Sequence, residues 1–270
     1  MYRLLGKQTN CYTYSKRLAE YLVYEYRDKF PVCITRPSIV LPTIKDPIPG
    51  WVDSLNGPIG ILVGGGKGVI RSMMCSPDNI AEVVPVDIAV NALLIIPWKM
   101  SIEKSKEVPV YNLTAGNIAK YSYKRLLDEG KEAVYKYPFE YTVWYPDGGI
   151  TTNRLVHLFY VIFFHFLPAY LIDFILLMAR QKRFMVRIQN RIYVGLQVLQ
   201  NFTMNDWYFH NDKFLDLANV LRGEDRNIFY LNSMTYDYNK YLIDAILGAR
   251  VYCMKEPLSS LPGARRHLFM

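Results

Sequence analysis

The stretch "NCYTYSKRLAEYLVYEYRDKFPVCITRPSIV", positions 10 to 40, decides the fold. Its first part places Leu18, Leu22 and Val23 at helical spacing among charged residues, which predicts an amphipathic helix over 14–29 that Pro31 ends. The run "VCIT" that follows is β-prone and has no polar alternation, which is typical of a parallel strand buried on both faces. A helix followed by such a strand is half of an α/β unit.

The segments further along the chain extend this unit. Positions 41–69 are rich in Pro and Gly and predict a long excursion from a regular framework, with a flexible turn at "VGGGKG" (63–68). "VPVDIAVNALLIIPW" (84–98) predicts a turn into a helix with Asp87 in its first turn, and "VPVYNLT" (108–114) predicts another strand.

The resulting fold class is α/β: the C-terminal part of a doubly wound, Rossmann-like parallel sheet, followed by a mainly helical domain. After a predicted helix in "AGNIAKYSYKRLLDEGKEAV", the composition changes to aromatic, Pro and Gly at "YPFEYTVWYPDGG". We place the domain boundary there, so that residues 1–145 form the first domain and residues 146–270 the second. Helices are predicted over 181–222 and 235–254 of the second domain.

The composition excludes a disordered chain and favours anionic partners. The 270 residues are 51% hydrophobic and 21% charged, with a formal net charge of +8. Such a charge suits a phosphorylated cofactor, a CoA ester, acidic lipid head groups or nucleic acid, and charge alone does not choose among them. The four cysteines lie far apart, so neither a zinc site nor a disulfide framework is indicated.

A nearly all-apolar segment occupies positions 155–179, "LVHLFYVIFFHFLPAYLIDFILLMA". It is long enough to span a bilayer, but Pro168 divides it and its ionisable residues are costly in hydrocarbon, so a helical hairpin in the membrane interface is an equal alternative. His157 and His165 are expected to be packing or interfacial histidines, whereas Asp173 marks either a functional polar site or a contact with a neighbouring helix.

Five basic residues follow the apolar segment directly: Arg180, Lys182, Arg183, Arg187 and Arg191. They suit anionic lipid head groups better than nucleic acid, because the cluster adjoins a membrane-like stretch and has no nucleic-acid motif beside it. Membrane lipids are therefore expected partners, nucleic acid is not, and the oligomeric state is left open.

Tyr12 and Lys16 share one helix face, an arrangement that suits general acid catalysis. Tyrosine is a poor proton donor at neutral pH, but a fixed ammonium beside it makes it an effective general acid toward a carbonyl that receives hydride. The spacing also occurs at Tyr236 and Lys240, which we interpret as structural because no strand follows. The spacing alone favours an ordinary helix N-terminus with solvated side chains over a catalytic pair.

The sequence motifs around this pair bear on the choice between a catalytic pair and an ordinary helix. "NCYTYSKRLAE", "PVCITRPSIV", "PIPGWVDSLNGPIGILVGGGKGVIRSMMC" and "VPVDIAVNALL" closely resemble, in order and spacing, the fatty acyl-CoA reductases of the extended short-chain dehydrogenase group. "LPAYLIDFILLMARQKR" and "FTMNDWYFHNDKFLDLANVL" resemble the helical C-terminal domain of that family. The resemblance covers essentially the whole chain.

The resemblance implies an alcohol-forming reductase in which NADPH delivers hydride to a long-chain acyl-CoA. Tyr12 is then the general acid, and Lys16 assists it and holds the nicotinamide ribose. Pro37, Ser38 and Val40 are the further cofactor-binding candidates, and the segment 48–75 shapes the acyl-CoA pocket. The resemblance also implies membrane association, at the endoplasmic reticulum or the peroxisome.

Two departures from the family pattern accompany the resemblance. A glycine-rich phosphate loop and a catalytic Ser are both expected ahead of Tyr12, and "VGGGKG" does not join a strand to a helix as such a loop does. The chain is therefore expected to be a fragment or a truncated form. A catalytically silent, membrane-associated lipid-binding or scaffold protein remains the alternative function.

Overall fold

The computed structural model of the protein describes residues 11–103, 107–114, 121–231 and 237–268. The helices of its first half are α1 (Cys11–Glu25), α2 (Pro58–Gly66), α3 (Val86–Ile102) and α4 (Tyr123–Lys136). The strands are β1 (Ile34–Pro37), β2 (Ile39–Leu41), β3 (Ser72–Met74), β4 (Val83–Pro85), β5 (Val110–Leu113) and β6 (Gly149–Thr151).

Helices make up the second half. They are α5 (Arg154–Tyr160), a π-helix (Val161–Phe166), α6 (Leu167–Met178), α7 (Met185–Thr203), α8 (Asp212–Leu215), α9 (Leu217–Val220), α10 (Asp225–Ile228), α11 (Tyr238–Gly248), a second π-helix (Ala249–Cys253), a 3₁₀ turn (Leu258–Ser260) and α12 (Leu261–Leu268). The three pairs of described strands are parallel, so the predicted α/β class is confirmed.

The strand that follows α1 changes partners half-way along its length. β1 pairs with β5, from Ile34 beside Val110 to Pro37 beside Leu113. After Ser38, β2 pairs instead with β4. The chain from Ile34 to Leu41 therefore lies between β5 and β4, and α3 connects these two outer strands.

The strand is less buried than its sequence predicts. Arg36 and Pro37 are exposed, and Ile34 and Thr35 are only half-buried. The physical reason is that α1 buries none of its own residues, so it covers the side chains of β1 incompletely. The helix itself is also shorter than predicted, because it ends at Glu25 and continues as hydrogen-bonded turns to Phe30.

The Gly- and Pro-rich excursion contains a helix that was not predicted. Pro58 begins α2, where its missing N–H removes no helical hydrogen bond, and Gly64 and Gly66 lie inside the helix. A side chain at Gly64 would meet Ile70, and one at Gly66 would meet Phe139. The prediction of a flexible turn at 63–68 is therefore wrong for its first part: these glycines allow close packing of a helix.

The hydrophobic core joins residues from both sides of the predicted domain boundary. Ile59 and Val63 of α2 share one cluster with Val134 of α4 and with Ala245 and Ile246 of α11. The pairing of β3 with β6 also crosses the boundary. The division into two domains stays a prediction, and the structure adds that the two parts pack directly against each other.

The apolar segment forms one helix. Arg154–Met178 runs without interruption through α5, the first π-helix and α6, and Pro168 lies at the start of α6, where the chain accommodates it without a bend into a hairpin. The hairpin alternative is therefore wrong. Within the described residues this is the one helix long and apolar enough to cross a membrane.

The loop between β2 and α2 is fixed by contacts to distant elements. The Asp87 carboxylate of α3 accepts hydrogen bonds from the backbone N–H groups of Ile44 and Lys45. The Tyr241 hydroxyl of α11 donates to the carbonyl of Pro42, at 2.6 Å. The backbone of Gly248 lies so close to the carbonyl of Gly50 that a Cβ atom at position 248 would be 1.7 Å from its oxygen.

This close approach predicts a specific sensitivity to substitution. We expect Gly248→Ala to lower the free energy of unfolding by about 1–3 kcal/mol, because the added methyl group forces the loop away from α11. Urea unfolding followed by circular dichroism measures the change.

Gly195→Ala is the matched control, since a Cβ atom at that position of α7 meets nothing within 4 Å. We expect it to raise stability by up to about 1 kcal/mol, because alanine is the better helix former. Equal effects from both substitutions would contradict the backbone contact.

Candidate functional site

Tyr12 and Lys16 lie one turn apart at the start of α1. Tyr12 is 62% exposed, and the Lys16 Nζ atom is 5.7 Å from the centre of its ring. Between them in the sequence, the Ser15 hydroxyl donates to the Tyr12 carbonyl at 2.9 Å. The two side chains therefore share one open face, as the spacing predicts.

A bidentate ion pair attaches this helix to the sheet. The guanidinium group of Arg36 donates to both carboxylate oxygens of Glu20, at 2.7 and 2.6 Å. This hydrogen bonding from Arg36 lowers the pKa of Glu20 below its usual value. Glu20 lies one helical turn after Lys16, and Arg36 immediately precedes Pro37. The ion pair therefore joins the Tyr–Lys helix to the strand that carries the cofactor candidates.

Pro37, Ser38 and Val40 lie where the strand changes partners. Pro37 is the last residue of β1, and the Ser38 N–H donates to the carbonyl of Leu113 at 3.0 Å. The Ser38 Oγ atom is buried and has no hydrogen-bond partner among the described residues, whereas Val40 is exposed in β2. The Glu20–Arg36 ion pair connects the strand that carries these three residues to the helix that carries Tyr12 and Lys16.

A segment of the helical half lies over the carboxyl end of β5. The Asn112 side chain donates to the carbonyl of His210, and the Asn211 side chain donates to the carbonyl of Thr114, both at 2.8 Å. Ligands of open parallel sheets bind at the carboxyl ends of the strands. The segment 206–211 therefore forms part of the surroundings of the candidate site, although sequence reasoning identified it only as part of the helical domain.

These residues fit the nicotinamide end of a dinucleotide. An exposed phenol and ammonium on one helix face and an unpaired buried hydroxyl at a strand end supply the hydrogen-bond donors that ribose and carboxamide groups require. The Gly64–Gly66 run does not fit the phosphates, because it is packed against Ile70 and Phe139. Tyr236, of the second Tyr–Lys pair, lies outside the described residues.

Asp87 is a residue whose importance the sequence indicated only weakly. Besides the loop N–H groups, it accepts a hydrogen bond of 2.6 Å from the Tyr230 hydroxyl. Burial, together with this bond to a carboxylate, raises the pKa of Tyr230. Its position in a first helical turn was the one available signal, and its partners are more than 40 residues away along the chain.

The two histidines of the apolar helix have structural partners. The His165 Nε2 atom accepts from the backbone N–H groups of Arg71 at 2.8 Å and Ser72 at 3.2 Å, and the His157 Nδ1 atom lies 2.9 Å from the Ser72 hydroxyl. The two histidines thus contact β3 and the residue before it, as packing residues do. In the described part of the chain, no group of three or more His, Cys, Asp and Glu residues is placed to hold a metal ion.

Asp173 caps the following helix. Its carboxylate accepts from the backbone N–H groups of Phe184, Met185 and Val186, at 2.9 to 3.1 Å. Desolvation acts to raise its pKa, but these three donors and Arg183 outweigh it, so the pKa of Asp173 lies below its usual value. Of the two alternatives for this residue, the contact with a neighbouring helix is correct.

Comparisons with known proteins identify the family of the chain. Two family models, both described as male sterility protein, match residues 2–93 and 164–256, and the first is an NAD-binding model. Fatty acyl-CoA reductase 1 of Mus musculus is 33% identical over 266 residues, which cover 98% of this chain and 52% of that protein.

The chain belongs to the fatty acyl-CoA reductase family. Fatty acyl-CoA reductase 1 of Homo sapiens and fatty acyl-CoA reductase 2 of Mus musculus are each 32% identical over 98% of the chain. The chain spans about half the length of these curated relatives. Within the family assignment, the NAD-binding model includes Tyr12, Lys16, Pro37, Ser38 and Val40, so these residues belong to a nicotinamide-cofactor domain.

The buried His165 side chain predicts a loss of stability in acid. Burial lowers the pKa of His165 to about 4, from 6.5, so the unfolded chain binds a proton that the folded chain does not. The free energy of unfolding should therefore fall as the pH falls from 6.5 toward 4, by about 3 kcal/mol when complete. Urea unfolding across this pH range measures it.

His165→Gln should make this pH dependence shallower, because the amide keeps an acceptor near the Nε2 position and does not titrate. Burial also lowers the pKa of His157, so a smaller slope of the same sign remains. His267→Gln is the control, because the His267 side chain is exposed, and it should leave the slope as it is. An unchanged slope in His165→Gln would contradict the assignment to His165.

Proposed function

We propose that the chain carries the proton-donating side of an NADPH-dependent reductase that converts long-chain fatty acyl-CoA to fatty alcohol. The supporting observation is the exposed pair Tyr12 and Lys16 on a helix that Glu20 and Arg36 attach to the strand ending at Pro37 and Ser38. This combination places a proton donor, a cation and an unpaired hydroxyl on connected elements of an NAD-binding domain.

The chemistry assigns each of these residues a task. A reduced nicotinamide supplies the hydride for each of two reductions. In the first, the Tyr12 hydroxyl gives a proton to the thioester oxygen as hydride reaches the carbonyl carbon, and loss of the CoA thiol leaves an aldehyde. Water then returns a proton to the Tyr12 phenolate. In the second reduction, in which the aldehyde carbon accepts hydride, the aldehyde oxygen takes this proton from Tyr12, which completes the alcohol.

Lys16 and the strand residues orient the reaction. The Lys16 ammonium is attracted to the phenolate that remains after proton donation, and it can donate to ribose hydroxyls. Ser38 offers its unpaired hydroxyl, and Pro37 and Val40 provide the apolar surroundings. NADPH, in preference to NADH, follows from the family resemblance.

The proposed enzyme lies at a membrane. A long acyl chain transfers into lipid with about 0.8 kcal/mol per CH₂ group, so its substrate concentrates there. The outward side of the Arg154–Met178 helix exposes large apolar residues, among them Phe159, Phe174 and Met178. The endoplasmic reticulum or the peroxisome is the proposed location on the resemblance.

A second candidate is a catalytically silent, membrane-associated lipid-binding or scaffold protein. It is favoured by one observation: within the described residues, the glycine run is packed inside a helix and does not form a phosphate-binding loop. This candidate predicts lipid binding without cofactor-dependent turnover in any form of the protein.

The deciding assay is the conversion of a long-chain acyl-CoA to fatty alcohol by membranes that express the protein, with NADPH or NADH. It is made with this 270-residue chain and with the longest open reading frame that contains it. We expect activity with NADPH in the product of that reading frame, and a loss of roughly 100-fold or more in Tyr12→Phe, because the general acid is removed.

Tyr21→Phe is the matched control, since Tyr21 lies on the same helix with a similar exposure of 65%. It should keep the activity of the parent. Full activity in Tyr12→Phe would show that another group donates the proton, whereas lipid binding without activity in either form would favour the silent protein.

A further inference from the structure

The Arg154–Met178 helix has two unlike faces. The buried or half-buried face carries His157, Val161, His165, Ala169 and Asp173, each four residues after the one before. From position 155 onward the opposite face exposes only uncharged residues, including Leu155, Phe159, Phe163, Leu171, Phe174 and Met178. One side of the helix is therefore fitted to the protein, and the other side is apolar.

The π-helical turn keeps these inner residues on one face. In an α-helix of 3.6 residues per turn, positions four apart drift steadily around the axis. The wider π-helical turn at Val161–Phe166 offsets this drift between α5 and α6. His165 at the centre and Asp173 near the end can thus both face the protein.

These inner contacts oppose a transmembrane orientation. His165 holds the backbone of Arg71 and Ser72, next to the strand pair β3 and β6, and Asp173 holds the first N–H groups of α7. A helix that crossed the bilayer would carry these strands and their edges into hydrocarbon, where backbone groups without partners are costly. The contacts instead suit a helix that lies in the plane of the membrane.

A basic margin follows at one end of this surface. Arg180, Lys182, Arg183, Arg187 and Arg191 are all exposed. Between Asp147 and Asp206 the sequence contains one acidic residue, Asp173, which is buried and occupied by backbone donors. The surface therefore combines an apolar face with five positive charges, against which this stretch of sequence sets the single carboxylate of Asp173.

An open cleft of about 650 Å³ lies where the apolar face meets the basic margin. Leu171, Phe174 and Leu177 line it from α6, and Arg183 and Arg187 line it from the following turn and α7. The Asp173 carboxylate also lines the cleft, and its oxygens accept from the backbone N–H groups at the start of α7. Guanidinium groups bind phosphate oxygens in pairs of parallel hydrogen bonds, and the adjacent apolar residues suit the start of an acyl chain.

We propose that this helix is a one-sided membrane-binding surface. Its apolar face lies in one leaflet, parallel to the membrane plane, and Arg183 and Arg187 bind the phosphate of an anionic phospholipid in the cleft. The proposal deepens the membrane association proposed above and does not depend on the reductase chemistry.

The positive charge of the basic margin favours an anionic bilayer over a second copy of this chain as the partner. In a two-fold dimer built on this surface, the same patch meets itself. Whichever end of the partner helix it met, the basic margin of each copy would find no acidic residue of this segment to offset it except the buried Asp173. Anionic phospholipid head groups supply the missing negative charge.

The first test is co-sedimentation of the full chain with vesicles of phosphatidylcholine, with and without phosphatidylserine. We expect binding that is stronger with phosphatidylserine and weaker at high salt. Arg183→Gln with Arg187→Gln should weaken binding to the anionic vesicles by roughly thirtyfold, since each basic residue near an anionic surface strengthens binding by roughly fivefold.

The matched control is Lys213→Gln with Arg222→Gln, which removes two exposed charges from other parts of the helical half. It should keep nearly full binding. Phe159→Ser with Phe174→Ser should weaken binding to both kinds of vesicle by at least about tenfold. Circular dichroism of each variant shows that it is folded.

A second measurement separates an in-plane helix from a span. Nitroxide labels on cysteines introduced at positions 155, 163, 171 and 178 report depth by electron paramagnetic resonance, with the unsubstituted chain as background. Similar shallow depths at all four positions are expected. A deep centre with ends at opposite surfaces would overturn the in-plane orientation.

Other outcomes would also overturn the proposal. Binding that is indifferent to phosphatidylserine or to Arg183 and Arg187 removes the phospholipid site, and concentration-dependent dimers without vesicle binding assign the surface to a second copy. Tyr12→Phe should bind vesicles as the parent does. Failure of membrane binding is thus distinguishable from failure of the proposed catalysis.

Discussion

Two buried acceptors, the Nε2 atom of His165 and the carboxylate of Asp173, determine which face of the Arg154–Met178 helix meets the rest of the protein. Neither can be replaced by apolar packing, because each satisfies backbone N–H groups that would otherwise be buried without a partner. They fix the rotation of the longest apolar helix of the described chain. The exposure of its opposite face, and hence the proposed membrane surface, is a consequence of that rotation.

The Tyr–Lys helix is attached in a different way. α1 buries no residue, and the bidentate pair of Glu20 and Arg36 joins it to the strand. Exposed ion pairs contribute little to stability, although bidentate geometry makes this one directional. The contact therefore orients the face that carries Tyr12 and Lys16 more than it stabilises the fold. The Tyr12 and Lys16 side chains are accordingly exposed to solvent.

The loop from Pro42 to Gly50 connects the cofactor half with the helical half. Asp87 holds its backbone from α3, while Tyr241 and Gly248 hold it from α11. The segment 206–211 adds a second connection at the end of β5. These contacts attach the C-terminal helices to the loop and to the strand end that surround the candidate site.

Local periodicity was enough to determine the α/β class, the helix that begins beside Asp87 and the strand at 110–113. It also determined the shared face of Tyr12 and Lys16. Each of these features depends on neighbours within a few residues. The tertiary structure alone decided the helix at 58–66, the change of strand partners at Ser38, the single course of the apolar helix and the partners of His165 and Asp87. Glycine and proline in the first of these disfavour a helix locally, and packing against Ile70 and Phe139 overrides them. The others depend on contacts that join residues from about 40 to more than 140 positions apart, which no local pattern encodes.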